Sequence, residues 1–247
     1  MLRSALMTWL RLSARPIVCL ALFLGLGPAR ARAASFPPEL RFRSLSTDRV
    51  TVHFPQELEI MAREAAALAT EILERHQARY HHRVGRVQIV LVDVEDDPNG
   101  FASPLPYPLV QVRAVAPRGA DEFGNYESWL RVVLTHELAH VVHLDQARGV
   151  LALGRKVFGR APFLFLKGAT PTWMIEGLAT FEETEGTAFG RGRNPDSRMV
   201  LRMAALEDDF PLEDRPVLGL DRWPVGQASY LFGEAFLRDV SRRFGPQ

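Results

Sequence analysis

The alternation of apolar and polar positions predicts three strands in the first half of the chain. Residues 50–54 and residues 109–115 alternate, which is typical of strands with one exposed face. Residues 87–94 form an almost unbroken β-branched run, which is typical of a buried strand. We expect the strand at 109–115 either to pair with an extended peptide or to lie inside the sheet. Residues 56–81, rich in Ala, Glu and Leu, predict a helix between the first two strands.

In the second half, apolar positions recur every three or four residues, and this spacing predicts four helices. The four segments are residues 125–145, 173–183, 197–207 and 227–244. Asn125 is the expected N-cap of the first, and Thr170 and Pro171 begin the second after an apolar loop at residues 149–168. Strands early and helices late indicate an α+β fold, with a small N-terminal mixed sheet followed by a mainly helical C-terminal part.

The first 34 residues have the composition of a secretory signal. Three arginines precede an apolar run at residues 17–26, and small residues follow it, so we expect cleavage near Ala33 or Ala34. An uncleaved anchor is the alternative, but this run is much shorter than the roughly 20 residues that span a bilayer. The only cysteine, Cys19, lies in this segment, so residues 35–247 would use histidines and carboxylates for any metal site. We expect export to the periplasm, the outer envelope or the cell exterior.

Composition and charge narrow the range of functions. With 47% hydrophobic and 24% charged residues, the 247-residue chain is not a disordered, collagen-like or many-span membrane protein. After residue 33 the chain holds 25 basic and 29 acidic residues, so this part is mildly acidic. A mildly acidic domain argues against nucleic acid as the main partner. We also expect no stable membrane span once the signal is removed.

One short pattern carries specific chemistry, namely His136-Glu137-Leu138-Ala139-His140. Histidines four residues apart project from one face of a helix, so both imidazoles can bind one zinc ion, with the intervening glutamate beside the zinc-bound water. The alternative is a pair of buried histidines without metal. Burying them with the carboxylate would cost on the order of several kcal/mol unless these groups are paired. The pattern therefore predicts a zinc site with His136 and His140 as ligands.

A catalytic zinc ion takes a third protein ligand, and the sequence offers two candidates. His143 lies on the same helix face, but about 7–8 Å along the axis from the midpoint of the other two histidines, so we expect it to line the pocket or belong to the core. Glu176 is a lone carboxylate in an apolar stretch, and Gly177 beside it would let another backbone approach closely. From the residues alone, Glu176 is equally well interpreted as a ligand and as a solvated glutamate.

Together these residues resemble a gluzincin metallopeptidase, in which a glutamate on a following helix completes the HExxH motif. The narrower likeness is to the peptidase MA-like domains at the front of secreted bacterial TolB-like β-propeller proteins. The stretches that carry it are residues 99–106, 129–145, 171–183, 190–193 and 230–233. The resemblance implies a zincin fold, in which the sheet packs on the active-site helix, and a C-terminal β-propeller in a longer chain.

The resemblance also implies a site and a mechanism. One Zn²⁺ ion would be held by His136, His140 and Glu176. Glu137 would be the general base that activates the zinc-bound water for peptide-bond hydrolysis. Such enzymes often use a downstream tyrosine or histidine to stabilise the oxyanion, and Tyr230 occupies a similar position, with a buried structural tyrosine as the alternative.

One position departs from the better-known zinc endopeptidases. Four residues after Glu176, where those enzymes place an aspartate, this chain has Thr180. Such a carboxylate holds the distal nitrogen of a zinc-bound histidine, so the residue with that task is not identified here. Thr180 and Glu183 both lie on the helix face of Glu176.

Two other functions compete with hydrolysis of a peptide or protein substrate. The domain could be a non-catalytic zincin-fold module that binds an envelope partner or a C-terminal β-propeller, although zinc binding alone would not need Glu137. The apolar residues 161–166 could contact a membrane surface, although such a run more often lines a core or a substrate pocket.

Overall fold

The computed structural model describes residues 36–37, 39–94, 96–117, 128–165, 170–210, 223–224 and 226–245. The chain divides into two units, residues 1–40 and residues 41–247. In the first unit, the Leu40 N–H donates to the Pro37 carbonyl over 3.1 Å. The predicted signal segment lies outside the described residues. All elements named below belong to the second unit.

The described strands form one mixed sheet in the order β1-β2-β3-β5-β4. The five strands are β1 (Phe42–Ser46), β2 (Val50–Pro55), β3 (Val87–Val92), β4 (Gly100–Ser103) and β5 (Leu109–Arg113). β2, β3 and β5 are parallel, whereas β1 and β4 run antiparallel to their neighbours. The three strands predicted from the sequence are confirmed to within two residues at their ends, and the two antiparallel strands are additional.

β5 lies inside the sheet, which decides between the two positions expected for it. It pairs with β3 on one side and β4 on the other, and Val110 stands between Ile89 and Ala102. Its backbone is therefore not available to a peptide, and the expectation of a peptide pairing there is wrong. Within the described part of the chain, β4 pairs with β5 alone, so β4 is the strand at this edge of the sheet.

The described helices are α1 (Glu59–Arg79), α2 (Trp129–Leu144), α3 (Val150–Phe158), α4 (Thr172–Gly186), α5 (Pro195–Leu206) and α6 (Ala228–Phe244). A mixed sheet followed by a helical C-terminal part confirms the α+β class. Among the described helices, none combines the length and the apolar character that a membrane crossing needs.

One hydrophobic core lies between the sheet and the first two helices. Ile89 from β3, Ile72 from α1, and Leu134 and Leu138 from α2 are all fully buried in it. In α2, 14 of the 16 residues are buried, so neighbouring elements surround this helix and fix its position. Side chains that α2 presents to a cleft therefore start from a rigid backbone.

Two helix starts differ from their predicted positions. α2 is capped by Ser128, whose hydroxyl oxygen accepts a hydrogen bond from the Arg131 N–H, whereas the expected cap Asn125 lies outside the described residues. At α4, Pro171 is the N-cap residue instead of the first helical residue. Each of these helices therefore starts later in the chain than its residue types predicted.

The predicted loop at residues 149–168 is wrong over its first half, where residues Val150–Phe158 form α3. Gly149 and Gly159 bound this helix, and both have positive φ angles. A glycine at each end is compatible with a short helix as well as with a loop. Of the apolar residues that follow, Leu164 is buried and Phe163 is exposed.

Candidate metal centre

Two helices that pack on each other bring the candidate metal ligands together. α2 presents His136, Glu137 and His140 on one face, and their exposed fractions are 6%, 6% and 8%. α4 packs against α2 and carries Glu176 to the same point. Residues 36 positions or more apart in the chain therefore meet where two helices cross.

The three donor atoms lie close to the spacing that one ion requires. The Nε2 atoms of His136 and His140 are 3.1 Å apart, and Glu176 Oε2 lies 3.4 Å from the first and 3.2 Å from the second. Donors in a tetrahedral zinc site with bonds of about 2.0–2.2 Å stand roughly 3.3–3.6 Å apart. The group His136, His140 and Glu176 could therefore hold a metal ion, as expected from the sequence.

The charges of this group are strongly coupled. Burial alone raises the pKa of Glu176, but hydrogen bonds with the two histidines hold it well below its usual range. Burial and the Arg191 guanidinium oppose protonation of His136, yet the Glu176 and Glu183 carboxylates raise its pKa to about 9. A cation bound to the histidine nitrogens would compete with protons for them, so metal binding should release protons.

Glu183 is the carboxylate that faces the distal nitrogen of His136, a position for which the sequence offered no assigned residue. Its Oε2 atom lies 3.2 Å from His136 Nδ1, the nitrogen that faces away from the cluster, so Nδ1–H can donate to it and leave Nε2 free for a metal. The Thr180 hydroxyl instead donates to the Glu176 carbonyl over 2.8 Å. Glu183 lies seven residues after Glu176, one turn beyond Thr180.

Arg191 holds Glu183 in place. Its backbone N–H donates to Glu183 Oε1 over 2.8 Å, and its Nη2 donates to Oε2 over 2.7 Å. Although burial opposes ionisation, this arginine and His136 lower the pKa of Glu183 to about 2. Arg191 is itself buried, and its Nη2 lies 2.8 Å from His136 Nδ1, to which it can donate only when Nδ1 carries no proton. His136 is thus fixed by a buried ion pair, whereas His140 Nδ1 has no hydrogen-bond partner within the described residues.

We expect Glu183→Gln to lower metal affinity by about 10–100-fold, the usual effect of removing a residue that orients a metal ligand. The amide keeps the volume of the carboxylate but removes the charge that favours Nδ1–H on His136. Titration with a competing chelator measures the affinity, and Thr180→Val is the matched control on the same helix. Equal affinities for Glu183→Gln and Thr180→Val would show that Glu183 does not orient the ligand.

Glu137 lies under β4 and is held there by a close contact. A Cβ atom added to Gly100 would come within 2.5 Å of Glu137 Oε1 and 2.7 Å of Val133 Cγ2. Only glycine lets the strand pass this close to the carboxylate. Burial raises the pKa of Glu137, although His136 and His140 act in the opposite direction.

A glycine contact between α4 and α6 positions Tyr230. A Cβ atom on Gly177 would lie 2.5 Å from the Gly233 Cα, and one on Gly233 would collide with the Trp173 carbonyl oxygen. The close approach expected at Gly177 is therefore confirmed, with α6 as the neighbour. Tyr230 lies almost one turn before Gly233, so the crossing carries it towards Glu176.

Tyr230 lies in the cleft beside the ligands. Its ring centroid is 6.0 Å from that of His136, and the guanidinium carbon of Arg191 lies 4.6 Å from the centre of the Tyr230 ring. Burial and the Glu176 carboxylate raise the pKa of Tyr230 to about 12. Its hydroxyl therefore stays protonated at neutral pH and can act as a hydrogen-bond donor.

His143 is separate from the cluster. It stacks on Tyr80 with ring centroids 6.5 Å apart, and it is not a member of the group that could bind metal. Burial and the neighbouring His140 lower its pKa to about 4, so it is neutral at pH 7. Of the two roles expected for His143, lining the pocket or belonging to the core, its packing on Tyr80 matches the second.

The ligand cluster opens into a cleft of about 810 Å³. β4 forms one wall with Gly100 and Phe101, and Tyr230 lies on its lining as well. The cleft is open beside the buried Glu137 carboxylate and the three residues that could hold an ion, so a small molecule or peptide could reach all of them. The arrangement combines a proton acceptor, a hydrogen-bond donor and a candidate ion site.

No model of a known protein family matches the chain, and a search of curated proteins found no match either. The resemblance to gluzincins therefore depends on the residues quoted above.

Residues 190–193 carry part of the resemblance, but the sequence assigned no role to Arg191 and left the role of Glu183 open. The available signal was a glutamate on the face of Glu176, seven residues away, together with an arginine flanked by Gly190 and Gly192. An arginine in a glycine-rich turn is usually interpreted as exposed, and only its burial at 6% exposure distinguishes it.

Proposed function

We propose that this chain is a zinc-dependent peptidase of the gluzincin type. The observation that carries the proposal is a triangle of two imidazole nitrogens and one carboxylate oxygen next to Glu137 in an open cleft. Two histidines and a glutamate form a common ligand set of catalytic zinc. Export and a β-propeller partner are parts of this proposal that rest on the sequence alone.

The chemistry divides between the ion and the protein. A zinc ion held by His136, His140 and Glu176 would polarise a carbonyl group and lower the pKa of a water molecule. Glu137 would take a proton from the attacking water and later give it to the leaving amine. The raised pKa of this buried carboxyl group suits a base that must also act as an acid.

The edge strand offers a place for the substrate. β4 pairs with β5 alone among the described elements, and Gly100 touches the Glu137 side chain. An extended peptide that added to the outer side of β4 would run past the carboxylate. In this proposal the peptide pairs with β4 and not with β5, the strand that the sequence pattern suggested for peptide pairing.

Gly100→Ala should lower peptide hydrolysis while metal content stays unchanged. The new methyl group would collide with Glu137 Oε1, so the base must move, and a displacement of about 1 Å can cost about 10²-fold in rate. Gly85→Ala is the matched control, because no atom lies within 4 Å of a Cβ added there. If both variants kept full activity, Glu137 would not need its contact with β4.

Tyr230→Phe should lower kcat with little change in KM if the hydroxyl stabilises the oxyanion. One such donor contributes about 2.7–4 kcal/mol to the transition state and little to substrate binding. A structural tyrosine would instead lose thermal stability through a missing hydrogen bond of about 0.5–1.5 kcal/mol and keep its kinetics. Thermal unfolding and steady-state kinetics on the same preparation distinguish these roles.

A further inference from the structure

α3 exposes an apolar face instead of burying it. Val150, Leu153 and Val157 lie on one stripe of the helix, and their exposed fractions are 84%, 64% and 69%. None of the nine residues of α3 is buried. Single exposed apolar residues are common on protein surfaces, but a continuous stripe marks an interaction surface.

Two aromatic rings extend this stripe. Phe158 and Phe163 are both mainly exposed, and their rings meet edge to face with centroids 6.3 Å apart. We call the set Val150, Leu153, Val157, Phe158 and Phe163 the α3 ridge. The opposite side of the helix carries Arg155 and faces the protein, since Arg155 Nε donates to the Leu164 carbonyl oxygen over 3.2 Å.

The segment that carries the ridge is fastened to the end of α2. Arg155 donates to the Asp145 carbonyl oxygen over 2.6 Å, and Arg160 donates to the Asp145 carboxylate over 2.7 Å. The Arg155 guanidinium also lies 3.9 Å from the centre of the Phe165 ring. Partly buried hydrogen bonds and the contact with Phe165 therefore hold the inner side of this segment against the protein.

Most charged side chains around the ridge are basic, although Arg155 and Arg160 pair with Asp145. Between Asp145 and Glu176 the sequence has five basic residues and no acidic one, namely Arg148, Arg155, Lys156, Arg160 and Lys167. The rest of the chain after residue 33 has 20 basic and 29 acidic residues, so this segment is positive within an acidic domain. Arg148 and Lys156 are exposed beside the ridge.

We propose that the α3 ridge lies in the interface of an anionic lipid bilayer. A helix with apolar residues on one side and cations beside them binds membranes by burying the apolar face about 5–10 Å below the headgroups while the cations meet lipid phosphates. The exposed cations Arg148 and Lys156 beside the ridge favour anionic lipid as its occupant. The proposal does not depend on the metal centre.

A fluorescent label on the ridge tests the proposal directly. In a Cys19→Ser background, an environment-sensitive dye is attached through Val157→Cys or, as control, through Ile60→Cys, a position with 86% exposure on α1. With vesicles of equal parts phosphatidylglycerol and phosphatidylcholine, the Val157→Cys label should shift to blue emission and be quenched by spin-labelled lipid, whereas the Ile60→Cys label should not change. Because each label senses only its own surroundings, binding through another segment would leave the Val157→Cys signal unchanged and overturn the proposal.

The charge requirement is tested by vesicle sedimentation. Lys156→Glu should lower the partition coefficient by at least about fivefold, and Leu153→Ser by about tenfold, while Arg86→Glu should have little effect. Phosphatidylcholine vesicles and high salt should both weaken binding. A Val157→Cys label that becomes shielded with rising protein concentration and no vesicles would indicate a second copy of the chain as the occupant and would also overturn the proposal.

Discussion

Replacing Glu137 by glutamine is expected to lower peptide hydrolysis by at least about 10²–10⁴-fold, the usual contribution of a general acid–base group. Glutamine has nearly the same volume as glutamate, so the contact with Gly100 and the positions of both histidines should not change. The amide cannot accept the proton that the attacking water must lose. Activity should therefore disappear while the metal is retained.

The measurement pairs a peptide-library assay with metal analysis on the same protein. Glu185→Gln is the matched control, because Glu185 belongs to α4 and lies on its exposed side, away from the cluster. An active Glu137→Gln variant would rule out the proposed base. A wild-type protein that holds zinc but cleaves no peptide would favour the binding module, since zinc binding alone does not require this carboxylate.

The ligands on α2 could be predicted because their geometry is local. A spacing of four residues places His136 and His140 one turn apart on any helix, whatever surrounds it. The apolar residues around them also predicted a helix, and the structure buries that helix on nearly all sides. The sequence therefore predicted both the helix and the two histidines that share its face.

Glu176 required more than local geometry. Its neighbour Gly177 suggested a close backbone contact, and this contact exists with Gly233. Nothing in the spacing between α2 and α4 fixed the angle at which the two helices cross. The third donor was expected only from resemblance, and the distances to the two histidines depend on how the whole core packs.

The two residues that contact His136 Nδ1, Glu183 and Arg191, could not be assigned from sequence because they too are far from it along the chain. Glu183 and Arg191 are 47 and 55 residues from it, on a helix and on the turn that follows. A carboxylate that faces a histidine and one that faces solvent have the same local pattern. Only tertiary packing makes the ion pair of Glu183 and Arg191 a buried support.

β4 and α3 were missed because their local signals are weak or ambiguous. β4 has four residues, begins with Gly100 and buries none of its side chains, so it lacks the alternation that indicated the other strands. α3 lies between two glycines and exposes its apolar stripe, and an apolar run rich in glycine suggests a loop. β4 lines the proposed substrate cleft, and α3 carries the α3 ridge.

Removing any one of the three ligands should abolish most metal binding. His136→Ala, His140→Ala and Glu176→Ala each reduce the donor set to two, and two donors do not form a stable zinc chelate. The purified wild-type chain should hold about one zinc ion per molecule. Metal analysis after dialysis against a weak chelator measures the remaining content, and circular dichroism on the same samples shows whether the fold is retained.

His143→Ala provides the matched control for this series. It removes an imidazole from the same helix, three residues after His140, but from the side that stacks on Tyr80. Because His143 is not part of the group that could bind metal, its loss should leave the zinc content at the wild-type level. Zinc loss in His143→Ala together with full retention in Glu176→Ala would mean that the third ligand lies on α2, and the approach of α4 would then need another explanation.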